Sequence, residues 1–230
     1  MNFMNEQFRY ESRRHYLLAF TGGFLGVYAL VTRCDVFGSA QTANLIYLVT
    51  AVIGHDFSAV LQRVGAVLVY MSAIALAVFL PKHSKVNLPL TSVAVTSAVA
   101  ALMGFLPETV PPVIALYPVF FATAFQWTTF KGAGNFNSST IFSTNNLKQF
   151  TMALTEVLLN KDPSHKQKAV FYGCTLLSFH SGVAVSFLLC LSFGIHASLF
   201  ALIPAGLTGI YILSNSPAPD RDGLSTPAIF

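Results

Sequence analysis

The sequence predicts an all-α integral membrane protein, and three observations carry that reading. Only 10% of the 230 residues are charged, 54% are hydrophobic, and the mean hydropathy is +0.62. A water-soluble domain carries roughly 25% charged residues, so this chain lacks the polar surface that water requires. Apolar stretches of membrane-crossing length recur along the chain. A polar, small-residue patch is duplicated within them: Thr42-Ala43-Asn44-Leu45 returns as Thr144-Asn145-Asn146-Leu147, an offset of 144 minus 42, or 102 residues.

The first crossing is expected over 16–31, preceded by a cytoplasmic segment over 1–15. A hydrocarbon core of about 30 Å needs about 20 apolar residues at 1.5 Å per residue. Residues 61–80, 90–106, 113–130 and 169–193 approach or meet this, and 195–213 adds a sixth. Backbone polar groups cannot go unpaired in lipid, so each stretch is predicted to be helical. Spanning strands are excluded because no alternating segments of about ten residues occur.

Residues 36–53 and 136–159 differ from these six. Each opens on amides and hydroxyls and continues as an apolar or amphipathic helix. With both segments re-entrant or interfacial and the N-terminus inside, eleven of the thirteen Lys and Arg fall on the cytoplasmic side, leaving Arg33 and Arg63 outside. With all eight segments spanning, Arg33, Lys82, Lys85 and Lys131 fall outside and Lys148 lies within a span. The positive-inside rule therefore favours six spans plus two polar-headed helices.

The first forty residues also carry the basic start, apolar core and small-residue site (Gly38-Ser39-Ala40) of a signal peptide. The repeat argues against its removal. With the 102-residue offset, each half reads as helix, polar-headed segment, helix, helix. The first repeat covers about 16–106 and the second about 113–213, within one membrane domain over 16–213. A Pro-rich polar tail over 214–230 is expected to be flexible and cytoplasmic. A half that crosses three times makes its successor start on the opposite face, so the two halves would be inverted. Secondary transporters built this way place their sites near the midplane, at the interface of the repeats.

The chain resembles the YoaK-like family of bacterial multi-pass membrane proteins, a family of unknown function. The resemblance rests on Thr21-Gly22-Gly23-Phe24, on Val36-Phe37 followed by Gln41-Thr42-Ala43-Asn44-Leu45, and on Gln126 with Thr140 and Thr144-Asn145-Asn146-Leu147. It runs from about residue 17 to 213 and implies a bacterial inner membrane. Three positions depart from the family's pattern. An acidic residue usual after the first glycine pair is replaced near Gly26. Thr-Gly-Asn reads Thr42-Ala43-Asn44 and Thr144-Asn145-Asn146. Trp127 stands where asparagine usually follows the glutamine. The missing carboxylate weighs against a proton- or cation-coupled role.

The candidate site is the pair of duplicated patches. Gln41, Thr42 and Asn44 are expected to meet Thr144, Asn145 and Asn146 across the pseudo-symmetry axis, where amides and hydroxyls suit a neutral polar solute or a partly dehydrated ion. The competing reading is that these groups cap helix starts. Gln126 would either line the site or join helices. His180, midway along its apolar stretch, is a functional candidate or a neutral hydrogen-bonding ring. Lys148, Met152 and Glu156 lie four residues apart, as a charged gate (Lys148 and Glu156) or a solvated helix face.

Several classes are excluded. Cys34, Cys174 and Cys190 show no C-x-x-C spacing, and the six histidines show no metal-ligand spacing, so neither a metal nor a cofactor is expected. No G-x-S-x-G or H-E-x-x-H occurs, and no pair of carboxylates lies within one membrane segment, so no enzyme is expected. The net charge of +4 has no aromatic-interleaved basic run, which argues against nucleic acid as a partner. The lipid bilayer is the expected partner, with a small polar solute or ion and self-association open. Three function readings follow: a small secondary transporter, a non-transporting structural or partner-binding module, and, least supported, a membrane enzyme.

Overall fold

The computed structural model describes residues 2–33 and 41–215. The small-residue site Gly38-Ser39-Ala40, Val36-Phe37, Cys34 and the tail beyond 215 lie outside the described residues. The described chain is almost entirely helical. The order is α1 (Asn2–Thr32), α2 (Gln41–Ile53), α3 (Phe57–His83), α4 (Leu88–Met103), α5 (Pro112–Ala115), α6 (Tyr117–Thr129), β1 (Gly132–Ala133), β2 (Phe136–Asn137), α7 (Thr144–Leu158), α8 (Lys166–Phe193) and α9 (Leu202–Asn215). Short 3-10 turns at Pro163–His165 and Gly194–Ala201 flank α8.

Local chemistry fixes the helix starts. The Asp56 carboxylate accepts the Ala59 N–H at 3.0 Å and caps α3. The Asn87 side-chain Oδ1 accepts the Leu90 N–H at 3.1 Å and caps α4, with Pro89 in its first turn. Both are good N-caps because they satisfy an otherwise orphaned donor. The stretch 113–130, expected as one helix, breaks at Leu116 into α5 and α6. Pro118 explains the break, since it lacks the N–H that would reach the Ile114 carbonyl and its ring crowds that carbonyl, while it is tolerated in the first turn of α6. The stretch 195–213 likewise begins as a 3-10 segment, after Gly194 turns the chain with φ 54°. The α1 helix starts well before residue 16, so 2–15 of the expected cytoplasmic segment is a helical extension of the first stretch.

Three of the described helical runs are long and apolar enough to cross a membrane: Glu6–Thr32, Phe57–His83 and the run Pro163–Asn215. The packing follows membrane logic. In α3 the small residues Ala66, Ala73 and Ala77 are buried, while Leu61, Leu68, Met71 and Phe79 face outward. The same outward apolar face recurs on α2 with Ile46, Val49 and Ile53, and on α9 with Ile203, Ile210 and Leu213. Water would not tolerate such a belt, whereas lipid supplies no drive to bury large side chains and leaves small residues to bring helices together. The chain is accordingly a membrane-type protein.

The α1 helix packs along α8, α3 along α6, α2 on α3 and α7 on α8, while α4 touches α6 and α9, and α9 touches α1. The α1–α8 crossing is the closest. A Cβ on Gly23 would run into the Phe179 carbonyl, and one on Gly182 into the Phe20 carbonyl. Each glycine thus admits the other helix's backbone.

Contacts fix the direction of each helix. At one end of α1, the Tyr28 hydroxyl lies 3.1 Å from the Met103 carbonyl oxygen and 3.0 Å from that of Ile195, so α4 and α8 finish there. The buried Arg33 donates from its two terminal nitrogens to Leu106 O (2.8 Å) and Pro107 O (3.1 Å) at this same end. At the other end, Tyr10 stacks on Tyr211 and Arg14 lies over the Phe130 ring, so α9 and α6 finish beside the first turns of α1.

Candidate functional site

The second polar patch builds a site in the interior. After α6 the chain turns through the β1–β2 hairpin, with Gly134 at φ 53° in its two-residue tip. A glycine there removes the penalty of left-handed backbone. The Gly134 N–H donates to the Glu11 carboxylate at 2.7 Å, and the Tyr172 hydroxyl donates to the Asn137 carbonyl at 2.7 Å. The hairpin is therefore pinned to the start of α1 and to α8. Phe8, Phe136 and Phe171 pack around it.

From this anchor the chain runs inward without regular structure until α7. The Thr140 carbonyl lies where a Cβ on Gly22 would have to be. Glu11 and Gly22 are separated by about 16 Å along α1, and six extended residues reach at most about 20 Å. The chain that leaves the hairpin thus descends beside α1 from the level of Glu11 to that of Gly22. Then α7, about 22 Å long, carries the chain back. Pro163 and Ser164, just beyond it, lie with Phe8 and Arg9 at the end where the descent began.

The descending segment is held by uncharged polar side chains. Asn146, 1% exposed, binds it with both ends of its amide. The carbonyl oxygen accepts from Ser138 Oγ (2.9 Å) and Ser139 N (3.3 Å). Its amide nitrogen donates to Ser139 O (2.6 Å) and Phe142 O (3.0 Å). The buried Gln126 donates from Nε2 to Thr140 Oγ1 at 2.9 Å and to Leu18 O at 3.2 Å, joining α6, the segment and α1. His15, 1% exposed, is 2.8 Å from Ser138 Oγ through Nε2 and packs on Phe171. Its Nδ1 is buried with no hydrogen-bond partner among the described residues. His15, Ser138 and Asn146 form one hydrogen-bonded group and Gln126 with Thr140 a second, and the two succeed each other along one polar path of the segment beside α1.

The first polar patch is built differently. Asn44, 4% exposed, donates to Gln41 Oε1 (3.1 Å) and Arg63 O (3.2 Å) and accepts from an Arg63 guanidinium nitrogen (3.2 Å). Arg63 also lies over the Tyr47 ring, its carbon 4.6 Å from the centroid. This ties α2 to α3. Asn44 is spent within the first half and Asn146 within the second, each bonded to its own neighbours rather than to the other's patch.

The remaining candidates lie outside this path. Thr42, Thr144 and Asn145 are exposed. His180 faces outward, and its Nδ1 sits 2.8 Å from Leu176 O on its own helix, so it reaches no neighbouring helix through that atom. Lys148 is exposed, and Glu156 accepts from the Asn160 amide at 2.6 Å, which marks an outer helix face. His15 and Arg33 were not among the residues singled out. His15 precedes the first apolar stretch by one residue and reads as its flank, yet the helix continues past it in both directions.

Among the described residues no group of three or more His, Cys, Asp or Glu is placed to hold a metal ion. Residues 15–213 match a family described only as a protein of unknown function, DUF1275, and the chain belongs to that family. No curated protein and no solved structure matches the chain.

Proposed function

We propose that this chain is a small secondary carrier for a polar solute, built as six crossings in two inverted halves, with α2 and α7 as re-entrant helices. The observation that carries this reading is the non-helical, hydrogen-bonded segment that reaches the level of Gly22 among apolar helices. Irregular backbone at membrane depth is tolerated only where protein buries it or where it lines a cavity, and transporters place their sites at such breaks.

The halves exchange consistently. Replacing α1, α2, α3 and α4 by α6, α7, α8 and α9 turns the α1–α8 pairing into α6–α3, α2–α3 into α7–α8, and α4–α6 into α9–α1. The opposed directions of α1 and α6 agree with inversion. The end that carries Arg9, Arg13 and Lys166 is the cytoplasmic one by the positive-inside rule, which puts both termini there. A bacterial inner membrane and kinship with the YoaK-like family fit the same reading. No catalytic residue is proposed: Ser138 Oγ, 2.8 Å from His15 Nε2, donates to Asn146 Oδ1, so the contact is read as part of the polar network that holds the segment.

A second reading has its own support. Asn146 has both amide ends engaged, as expected of a non-transporting module with a filled interior. The two readings differ at His15, whose unpartnered Nδ1 a solute or proton would use. The test is thermal stabilisation of the purified full chain by a panel of polar solutes, followed by uptake of any stabilising solute into proteoliposomes. The carrier reading expects a stabilising solute whose effect is lost in His15→Phe and kept in His180→Phe. Failure of every solute on a broad panel, with His15→Phe folding normally, would favour the structural module.

A further inference from the structure

We infer that the cleft between the starts of α1 and α8 and the edge of α9 is a binding site for an anionic phospholipid of the surrounding bilayer. The inference needs the chain to sit in a membrane and does not need it to transport. Two cavities meet there. The outer one, about 610 Å³, lies between α1 and the start of α8 and is lined by Arg9, Arg13 and Lys166, with no acidic side chain on its wall. The inner one, about 580 Å³, continues down the α1–α9 seam and is lined by Leu17, Phe20, Ile203 and Leu207. Arg13 and Tyr16 line both, so the two adjoin, a basic mouth beside an apolar trough.

Its dimensions suit a single lipid leaflet. From Arg9 to Phe20 the helix rises about 16 Å, and half of the hydrocarbon core is about 15 Å. Arg9 and Arg13 stand four residues apart on one face of α1, which puts both beside the same point of the mouth. A phosphate at that point would be held by charge, as clustered basic residues at a membrane surface hold anionic headgroups. An acyl chain would lie in the trough. The charged neighbours agree with an anion at the mouth. Glu6 lines the next groove, which Arg9 and Arg13 also border, and does not line this one. Asp162 is engaged by Ser164 and His165, and hydrogen bonds from Ser164 first, then the His165 ring, hold its carboxyl below the usual carboxylate range. Arg14 is occupied over the Tyr10 and Phe130 rings.

The test is lipid binding to the full chain, delipidated in a neutral detergent and followed by native mass spectrometry and thermal stability. Phosphatidylglycerol is expected to bind and stabilise, and phosphatidylcholine of the same chains to bind roughly tenfold or more weakly, at about 1 kcal/mol per basic residue engaged. The double variant Arg13→Gln with Lys166→Gln, both exposed side chains, should erase that preference. Lys82→Gln with Lys85→Gln, at the end of α3, should keep it. Leu207→Trp, which fills the trough, should weaken both lipids. Equal binding of the two lipids overturns the inference, as does a preference that survives the Arg13–Lys166 double variant. Stabilisation by inorganic phosphate alone as strong as that by the anionic lipid would also overturn it, since the trough would then contribute nothing.

Discussion

At the scale of single residues, the interior turns on which asparagine of a pair faces inward. Thr144-Asn145-Asn146 is visible in the sequence as a polar patch, but adjacent helical residues point about 100° apart, so only one asparagine can face the body. The structure selects Asn146 and leaves Asn145 exposed. Asn146→Ala removes four hydrogen bonds and strands the Ser139 and Phe142 carbonyls. It is expected to cost on the order of 2–4 kcal/mol, read as a lower midpoint in detergent unfolding, while Asn145→Ala stays within about 0.5 kcal/mol. Asn145→Ala matching Asn146→Ala would show that the patch is held some other way. Gln126 was legible because a lone amide in an apolar helix needs partners, although its partners, Thr140 and Leu18, were not. Arg33 was read as a loop charge, because no sequence pattern reveals a guanidinium folded back onto the carbonyls of Leu106 and Pro107.

At the scale of elements, the crossing of α1 and α8 is the joint most sensitive to volume. Small residues four apart, Gly22 with Gly26 and Ser178 with Gly182, allow close helix approach, and Gly22 and Gly182 both meet backbone from elsewhere in the chain. Sequence spacing could not say which helices would meet, because partner choice depends on how all the crossings pack together. Gly182→Val is expected to cost at least about 4 kcal/mol, the range of severe core disruption, and to abolish a monodisperse peak in size-exclusion chromatography. Gly206→Ala meets nothing within 4 Å and should leave that peak unchanged. Normal behaviour of Gly182→Val would mean that α1 and α8 do not cross this closely. The break before α6 was written in Pro118, though the stretch reads as continuous by hydropathy alone. The β1–β2 hairpin was missed because two-residue strands leave no periodic signal, and only Gly134-Asn135 marks its turn.

At the scale of the whole molecule, hydropathy was enough to place the chain in a membrane, and the outward Leu, Ile and Phe of α2, α3 and α9 bear that out. The number of crossings is harder to read, because α2 is a short apolar helix and α7, though amphipathic, is nearly as long as α4. What distinguishes α7 is its surroundings: the hairpin before it and the Pro163 turn after it lie at the same end of α1. The central claim is therefore that residues 131 and 160 share one side of the membrane, with residue 56 on the other. Single cysteines at Lys131, Asn160 and Asp56, in a chain freed of Cys34, Cys174 and Cys190, can be labelled in oriented vesicles by a membrane-impermeant thiol reagent. The prediction is that 131 and 160 label from the same side and 56 only from the opposite side. Labelling of 131 and 160 from opposite faces would make α7 a full crossing and contradict the account.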